Sequence, residues 1–405
     1  MSICAILLMF CAGTIYWMGM AGKQKKRRRV ALLVQTTSEW HRQLLRGVAD
    51  YAREHGPWDF HIEPRGLLET MQLPKGWRGD GVILRLVDPA QERAIRRRGL
   101  PAVNVSWQGE HSRAIPRVSS DESACARLAA SHFVEKGFRS FAYVGPVGQP
   151  RYADVLGAEF AIATRAAGFE CVTFSGKSRE HRQPLHQQRQ RLVDWLRGLR
   201  HPTALLVWNG EVGREVIAAC SANGLHVPDD LAVLCAEHDS VMNSLAPVPM
   251  SNIDQSPLRV GREAAALLDR LMSGRRAPAR PIHVPPVGVV QRQSTDTAAV
   301  DDALVANALR HIRAHAHEPL KVSDLQKALF VSRRSLEHRF TQALGRTPAV
   351  EIRRARLEHV RRLLIETDLP LAVIAERTGY QHLEVMVRAF QRQFGLPPGR
   401  FRRER

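Results

Sequence analysis

Acidic side chains are scarce in this sequence. Forty aspartates and glutamates stand against 59 lysines and arginines in 405 residues, a formal net charge of +19. That balance argues against a cationic partner and for a polyanionic one, either nucleic acid or an anionic membrane surface, with a solvated basic surface as the plain alternative. Cysteine is sparse too. Cys4, Cys11, Cys125, Cys171, Cys220 and Cys235 are scattered, with no CxxC pair, which excludes a disulfide scaffold and suits a reducing cytoplasm. There is no P-loop, no GxGxxG after the first strand, no GxSxG and no HExxH. With them go the sequence signs of nucleotide, dinucleotide, serine-hydrolase and zinc-protease chemistry. His311 and His315 could share a helix face, but a solvated inter-domain helix explains them as well, and neither metal nor cofactor is expected.

Long apolar runs are also missing, save one. MSICAILLMFCAGTIYWMGM (1–20) carries no charge and is followed by GKQKKRRR. Its length is near the lower limit for a membrane span, and the charges follow the run, where a secretory signal would have them first. Two readings of residues 1–22 stand: a membrane anchor, or a start assigned too far upstream, with Met18 or Met20 as the true one. Under either, the remainder is expected in the cytoplasm.

What is present is an ordinary apolar fraction, 44%, over a length that suits two or three domains. From Val30 to Gln293 short apolar runs alternate with helical stretches. The runs are VALLV (30–34), FHIE (60–63), GVILRLV (81–87), AVNVSW (102–107), FAYVG (141–145), CVTFS (171–175), ALLVW (204–208) and LAVLCAE (231–237). HRQLLRGVADYAREHG (41–56) and DESACARLAASHFVEKG (121–137) read as helices that stop at glycine. Such alternation predicts parallel sheets, and about 260 residues divide best into two doubly wound lobes with a ligand cleft at the carboxyl ends of the strands. Residues 294–302 read as a polar linker, and 303–405 as helical throughout, with Leu304, Ala308, Leu309 and Ile312 on one stripe of the first helix.

The helical region holds a repeat. VSRRSLEHRFTQALGRTP begins at Val331, and fifty positions on the chain reads YQHLEVMVRAFQRQFGLPPGR, so that Leu336 answers to Met386, Phe340 to Phe390 and Gly345 to Gly395. Each copy reads as helix, turn, helix. Leu325, Ala328, Leu329, Leu336 and Phe340 face inward in the first; Ile374, Ala375, Met386 and Phe390 do so in the second, which turns at Gly379. Ser332 is placed to cap its helix. Arg333, Arg334, Glu337 and His338 then face out in copy one. His382, Glu384 and Arg388 face out in copy two, which also shows Leu383 and Val387. These are the candidate DNA contacts, since the second helix of such a unit meets base edges with its N-terminal half. RRARLEHVRRLLIE (353–366) is a longer amphipathic helix able to hold the copies apart.

SRRSLEHRF, LGRTP, RARLEHVRRLL and GYQHLEVMVRAFQRQFGLPPGRFRR together resemble the AraC family DNA-binding domain. Departures are Gln326 for a small alanine, Phe330 for the turn glycine, and a second recognition helix without the usual serines and aromatic residue. VALLVQTTSEWHRQLLRGVADYAREHGPW, SSDESACARLAASHFVEKGFRSFAYVG, QSPLRVGREAAALLDRLM and VPPVGVVQRQSTD resemble the sensor domain of the LacI/periplasmic-binding-protein type. The combination is that of xylose-operon regulators. It implies an α/β two-lobed periplasmic-binding-protein-like domain of doubly wound parallel sheets (30–293), then an all-α domain with two helix-turn-helix units (303–405). It further implies a cytoplasmic transcription regulator rather than an enzyme, with promoter DNA and a sugar-like effector as partners, a homodimer, and RNA polymerase as a further partner if it activates. A Rossmann-like enzyme with a basic helical tail, a binding protein that lost its DNA function and a membrane-anchored regulator are the alternatives.

The resemblance places ligand contacts at Trp40, Asp121, Asn209, Glu237 and Asp239. Leu156 stands where the family offers an arginine four residues before an aromatic, here Phe160. Gly210 stands where it offers an aspartate, and Glu237-His238 where it offers Asp-Asn or Asp-Asp. Unpaired buried hydroxyls cost about 1–3 kcal/mol each, so the losses at 156 and 210 predict weak D-xylose binding and a less hydroxylated or larger ligand.

Overall fold

The computed structural model describes residues 27–62, 71–86, 89–107, 114–146, 154–174, 185–297, 299–300 and 302–403. The apolar start, residues 1–22 with Cys4, Cys11, Met18 and Met20, lies outside the described residues. Among those described, no helix is long and apolar enough to cross a membrane.

The first lobe is built from β1 (Arg28–Leu33), α1 (Glu39–His55), β2 (Trp58–Ile62), β3 (Gly81–Leu84), α2 (Pro89–Arg98), β4 (Ala102–Asn104) and β5 (Val118–Ser120). The second takes α3 (Glu122–Glu135), β6 (Phe141–Val144), α4 (Val155–Ala166), β7 (Cys171–Phe174), α5 (Leu185–Arg197), β8 (Thr203–Val207), α6 (Gly210–Ala222), β9 (Leu231–Cys235), α7 (Ser240–Leu245) and β10 (Ser251–Asp254). The chain then returns to the first lobe for α8 (Pro257–Met272) and β11 (Ile282–Val284), and crosses again into β12 (Gly288–Val290).

The first sheet has order β2-β1-β3-β4 and the second β12-β10-β9-β8-β6-β7. Pairing is parallel throughout both except where β12 runs antiparallel to β10. Because successive side chains leave a strand on opposite faces, a run such as VALLV must meet apolar cover on both sides. It does: Val30, Leu32 and Val34 pack toward α1 and α8, while Ala31 and Leu33 pack against Met71, Ile95 and Leu86 on the other face. In the second lobe Ala204 and Leu206 point to the core under α3 and α4, and Leu205 and Val207 to the core under α5 and α6.

α8 leaves the second lobe to pack on α1 of the first, with backbones in contact. A Cβ at Gly47 would overlap the Leu258 carbonyl, and one at Gly261 would overlap that of Leu44. Ser256, at the entry to α8, sits at φ 57° and is held by Asp254 Oδ1 at 2.9 Å and the Pro285 carbonyl at 3.0 Å. Ser120 reaches the Gln255 carbonyl at 3.2 Å, so the three inter-lobe crossings lie side by side.

Of residues 294–302, expected as a linker, Ser294, Thr295 and Thr297 are instead bound into the second lobe, while Val300 joins the core of the helical domain and Asp302 caps its first helix. Ser294, Thr295 and Thr297 are buried. Ser294 Oγ accepts from Ser251 N at 2.8 Å and donates to the Val233 carbonyl at 2.5 Å. Small hydroxyls read as linker because they are polar; here they are polar groups satisfied in a core.

The helical domain holds α9 (Ala303–Ala314), α10 (Val322–Leu329), α11 (Arg333–Leu344), α12 (Pro348–Glu366), α13 (Leu371–Arg377), α14 (Leu383–Phe394) and α15 (Pro398–Arg403). α12 contributes Ile352 and Ala355 to the core of the first helix-turn-helix unit, and Leu357, Val360 and Leu364 to that of the second. One helix thereby joins both units rigidly. In α9 and α10 the facings differ from expectation at two points: Ala328 is exposed, and Val305 joins the buried stripe of α9, against which Leu304 packs partly.

Gly261→Ala is expected to destabilise the protein by about 1–3 kcal/mol, because backbone has no rotamer with which to yield. Ala at exposed Gly274, just beyond α8, tests only its left-handed backbone. Urea melts of both variants check this; equal losses would deny the backbone contact its role.

Candidate ligand cavity and nucleic-acid interface

A cavity of about 390 Å³ lies between the lobes at the carboxyl ends of the strands. The first lobe contributes Ser38, Trp40 and His41 from the start of α1, Arg85 from the end of β3 and Trp107 beyond β4. The second contributes Glu122, Leu156, Trp208, Asn209, Gly210, Arg214, Glu237 and Asp239.

Of the expected ligand residues, the structure brings Trp40, Asn209, Glu237 and Asp239 together. Asp121 is not among the lining residues. Its carboxylate caps α3 by accepting from Ala124 N at 2.9 Å, and the adjacent Glu122 takes the cavity position. Asn209 and Asp239 also cap their helices, accepting from Val212 N at 2.9 Å and Met242 N at 3.0 Å. Helices that begin at the cleft need caps there, so these side chains serve the fold and face the cavity at once.

The wall is more polar than the substitutions at Leu156 and Gly210 suggested. Arg85 brings a buried cation from the opposite lobe, and Glu122 and Glu237 bring carboxyls. An aspartate at 210 would find little room, since a Cβ there already lies 3.0 Å from Met242 Cβ. Phe160 is fully buried in the core of the second lobe. Arg85, His41, Trp107, Trp208 and Glu122 escaped the sequence reading. A usable signal exists for three of them: a charge interrupts the apolar run GVILRLV just past its strand, and a tryptophan ends AVNVSW and ALLVW, where open α/β sheets bind ligands.

Burial sets the electrostatics. It pushes the Glu122 carboxyl up to about 8, with Asp154, Glu237 and Asp121 adding to the rise. It pushes Glu237 up to about 7, opposed by a Ser38 hydrogen bond and by Arg85. Arg85 falls to about 10 by burial and stays charged at neutral pH. His41 is driven well below its usual range by burial, then by Arg85 and Arg42, and is neutral. Its Nδ1 lies 2.6 Å from Ser38 Oγ. A chain His41–Ser38–Glu237 therefore crosses the cleft. Three cavity-wall atoms, Trp40 Nε1, His41 Nε2 and Glu237 Oε1, are buried without a hydrogen-bond partner. Beside them Glu39 of the first lobe accepts from Ser240 N at 2.5 Å and faces His238 Nε2 at 3.5 Å.

The second candidate site is the outer face of the helical domain. Ser332 caps α11, accepting from Ser335 N at 3.3 Å. Arg333, Arg334 and His338 are exposed, and Glu337 pairs with Arg333 at 2.8 Å. His382, Glu384 and Arg388 are exposed on the second unit, but Leu383 and Val387 pack partly into its core, and the outward apolar residue is Val385. Phe330, in the turn, adopts φ 52° and is 96% exposed. Gly379 takes φ +70° in the other turn, where a Cβ would press on the Glu318 carbonyl. His311 and His315 stack at 4.2 Å, with His315 Nδ1 against the His311 carbonyl at 2.9 Å. Among the described residues no group of three or more metal-ligating side chains occurs.

A polar seam joins the two regions. Arg313 of α9 pairs with Asp229 and donates to the Asp296 carbonyl at 2.7 Å. On α12, Arg354 faces Asp296 at 3.5 Å, Arg361 donates to the Gln291 carbonyl at 3.1 Å, and Arg362 donates to Gln293 Oε1 at 3.1 Å. All these partners belong to the second lobe or its exit strand.

Three family models match in tandem: a XylR N-terminal domain over residues 29–122, a periplasmic binding protein-like domain over 130–295 and a helix-turn-helix domain over 325–404. The chain is 30% identical over 383 residues to the xylose operon regulatory protein of Escherichia coli (strain K12), covering 93% of this chain and 97% of that protein. It is 26% identical over 379 residues to the protein of the same name from Haemophilus influenzae, covering 92% and 98%. A solved structure described as the xylose-binding transcription activator xylR superposes with TM-score 0.75 at 29% identity, over 94% of this chain and 99% of that one.

The raised carboxyls carry a sign. Folding favours the protonated forms of Glu122 and Glu237, so their contribution is full below the unfolded carboxyl range and is lost as pH rises through about 7 to 8. The melting temperature of the unliganded protein is expected to fall as pH rises from about 4.5, the ordinary carboxyl value, to about 8, the folded value of Glu122. Glu122→Gln should remove much of that fall; an unchanged pH profile would show that Glu122 is ionised in the folded protein.

Proposed function

We propose that this chain, which belongs to the XylR-type family of AraC transcription regulators, binds a hydroxylated small molecule between its lobes and reports that occupancy on promoter DNA. It is a DNA-binding transcription regulator and not an enzyme. The observation that carries the ligand reading is the set of three buried, unpartnered atoms in the cavity wall. With Ser38 donating to Glu237, neutral His41 donates from Nδ1, and its Nε2 is left as an acceptor. Nε2 and the Glu237 carboxylate then seek donors, while Trp40 Nε1 seeks an acceptor. A hydroxyl is both, so a sugar-like polyol satisfies the wall. Trp40, Trp107, Trp208 and Leu156 offer flat or apolar surface beside it, which favours a ligand with an apolar face over a small pentose.

Among the described residues the seam ties the helical domain to the second lobe, and α12 ties its two units to each other. Movement of one lobe against the other thus shifts where both recognition faces lie, relative to the first lobe and to a second copy in a homodimer. Ligand moves this balance only by binding one arrangement better than the other. Arg333, Arg334, Glu337 and His338 of α11, with His382, Glu384 and Arg388 at α14, are the DNA contacts, and RNA polymerase is the further partner of an activating outcome.

Calorimetry on the full chain with a panel of sugars tests the cavity. D-xylose is expected to bind more weakly than a larger or less hydroxylated ligand, and Glu237→Ala should cost about 1–3 kcal/mol for the ligand that binds. Micromolar D-xylose binding abolished by Glu237→Ala would make the pentose the ligand and overturn that preference. On DNA, Arg334→Ala should cost about 1–3 kcal/mol and relax specificity at one base step. An equal loss on all sequences would make Arg334 a phosphate contact.

A further inference from the structure

We propose that the basic groove between the two helix-turn-helix units clamps the phosphate backbone of the duplex segment joining their two major-groove contacts. The inference rests on the DNA-binding reading above and extends it to residues off the candidate base-reading face of α11. The groove encloses about 700 Å³ between α12, the start of α10 and one side of α14. Lys321, Arg353, Arg356, Arg388 and Arg392 line it, and no carboxylate does.

That imbalance is local. On the other side of α12, Arg354 and Arg361 have acids beside them, Glu351 at 2.9 Å and Glu358 at 2.7 Å. Arg353 is exposed on the groove side, and Arg356 lies over the Tyr380 ring at 5.4 Å. Tyr380 Oη and Arg356 Nε are buried there without a hydrogen-bond partner. Gathered cations repel one another, and a polyanion offsets that cost while releasing its counterions.

The repeat explains why the groove is open. Arg339 of α11 is tied to Asp302 at the start of α9, at 2.9 Å. The residue fifty positions on is Ala389, which lines the groove between Arg388 and Arg392. The second unit thus turns toward the groove the side that the first unit turns toward α9. Two recognition helices that enter successive major-groove faces leave a stretch of backbone between them, and the groove lies between the second of them, the joining helix α12 and the start of the first unit. Its volume is far greater than one inorganic anion needs, which favours a continuous backbone.

The test uses the full chain, an operator obtained by selection from random duplexes, and a random-sequence duplex as the second probe. Binding is measured over a series of KCl concentrations. Arg353→Ala and Arg392→Ala should each reduce the slope of log affinity against log salt by about 0.9, and the double variant by about 1.8. The weakening should be the same on both probes, and Arg392→Lys should restore the slope. Thermal melts matching the parent show that the variants fold. Unchanged slopes, or a loss confined to the selected sequence, would overturn the clamp. So would variants that bind DNA as the parent does yet fail in transcription with purified RNA polymerase, because the groove would then take an acidic protein surface. Failure to select any DNA is a different result, and strikes the DNA-binding reading itself.

Discussion

Charges that neither lobe would bury alone meet across the cleft. Arg85 ends a strand of the first lobe and Glu237 follows a strand of the second. The field of each opposes the cost of burying the other. Ser38 adds a hydrogen bond from the first lobe, and its Oγ also lies 2.6 Å from His41 Nδ1. The arrangement is coherent only while the lobes face each other. This makes the cavity a property of the pair of lobes, and its polar inventory a measure of how far they are closed.

Geometry elsewhere limits how that pair can move. α8 belongs in sequence to the second lobe but packs by backbone contact on α1 of the first, through Gly47 and Gly261. The crossings at Ser120, Ser256 and Pro285 are hydrogen-bonded to one another. Motion is thus confined to a narrow hinge. On the far side, the arginines of α9 and α12 hold the helical domain to the second lobe through Asp229, Asp296, Gln291 and Gln293. α12 carries side chains into both helix-turn-helix cores.

The repeat shows how one motif takes two environments. Leu336 and Phe340, like Met386 and Phe390, are fully buried. Around these shared anchors the surroundings diverge: α9 stands beside the first unit, and a cationic groove beside the second. Leu383 and Val387 were expected to face outward because they flank the recognition positions. They instead pack partly against the core formed by Met386, Phe390 and Leu364.

By itself the sequence determined eight of the strands, the division into two lobes, the two helix-turn-helix units and their buried anchors Leu336, Phe340, Met386 and Phe390. Those follow from periodicity, caps and repeated apolar positions, which are local. It also placed Trp40, Asn209, Glu237 and Asp239, because residues just past strand ends or at helix starts in this fold border the cleft. Tertiary structure alone decided that Glu122 and not Asp121 faces the ligand space, since one residue of helix phase separates a cap from a wall. It alone brought Arg85 within the field of Glu237, 152 positions away in the chain. And it turned Ser294, Thr295 and Thr297 from an apparent linker into a buried strap. A polar side chain carries no local mark of whether its partner will be water or a distant carbonyl; only the packed chain supplies that partner.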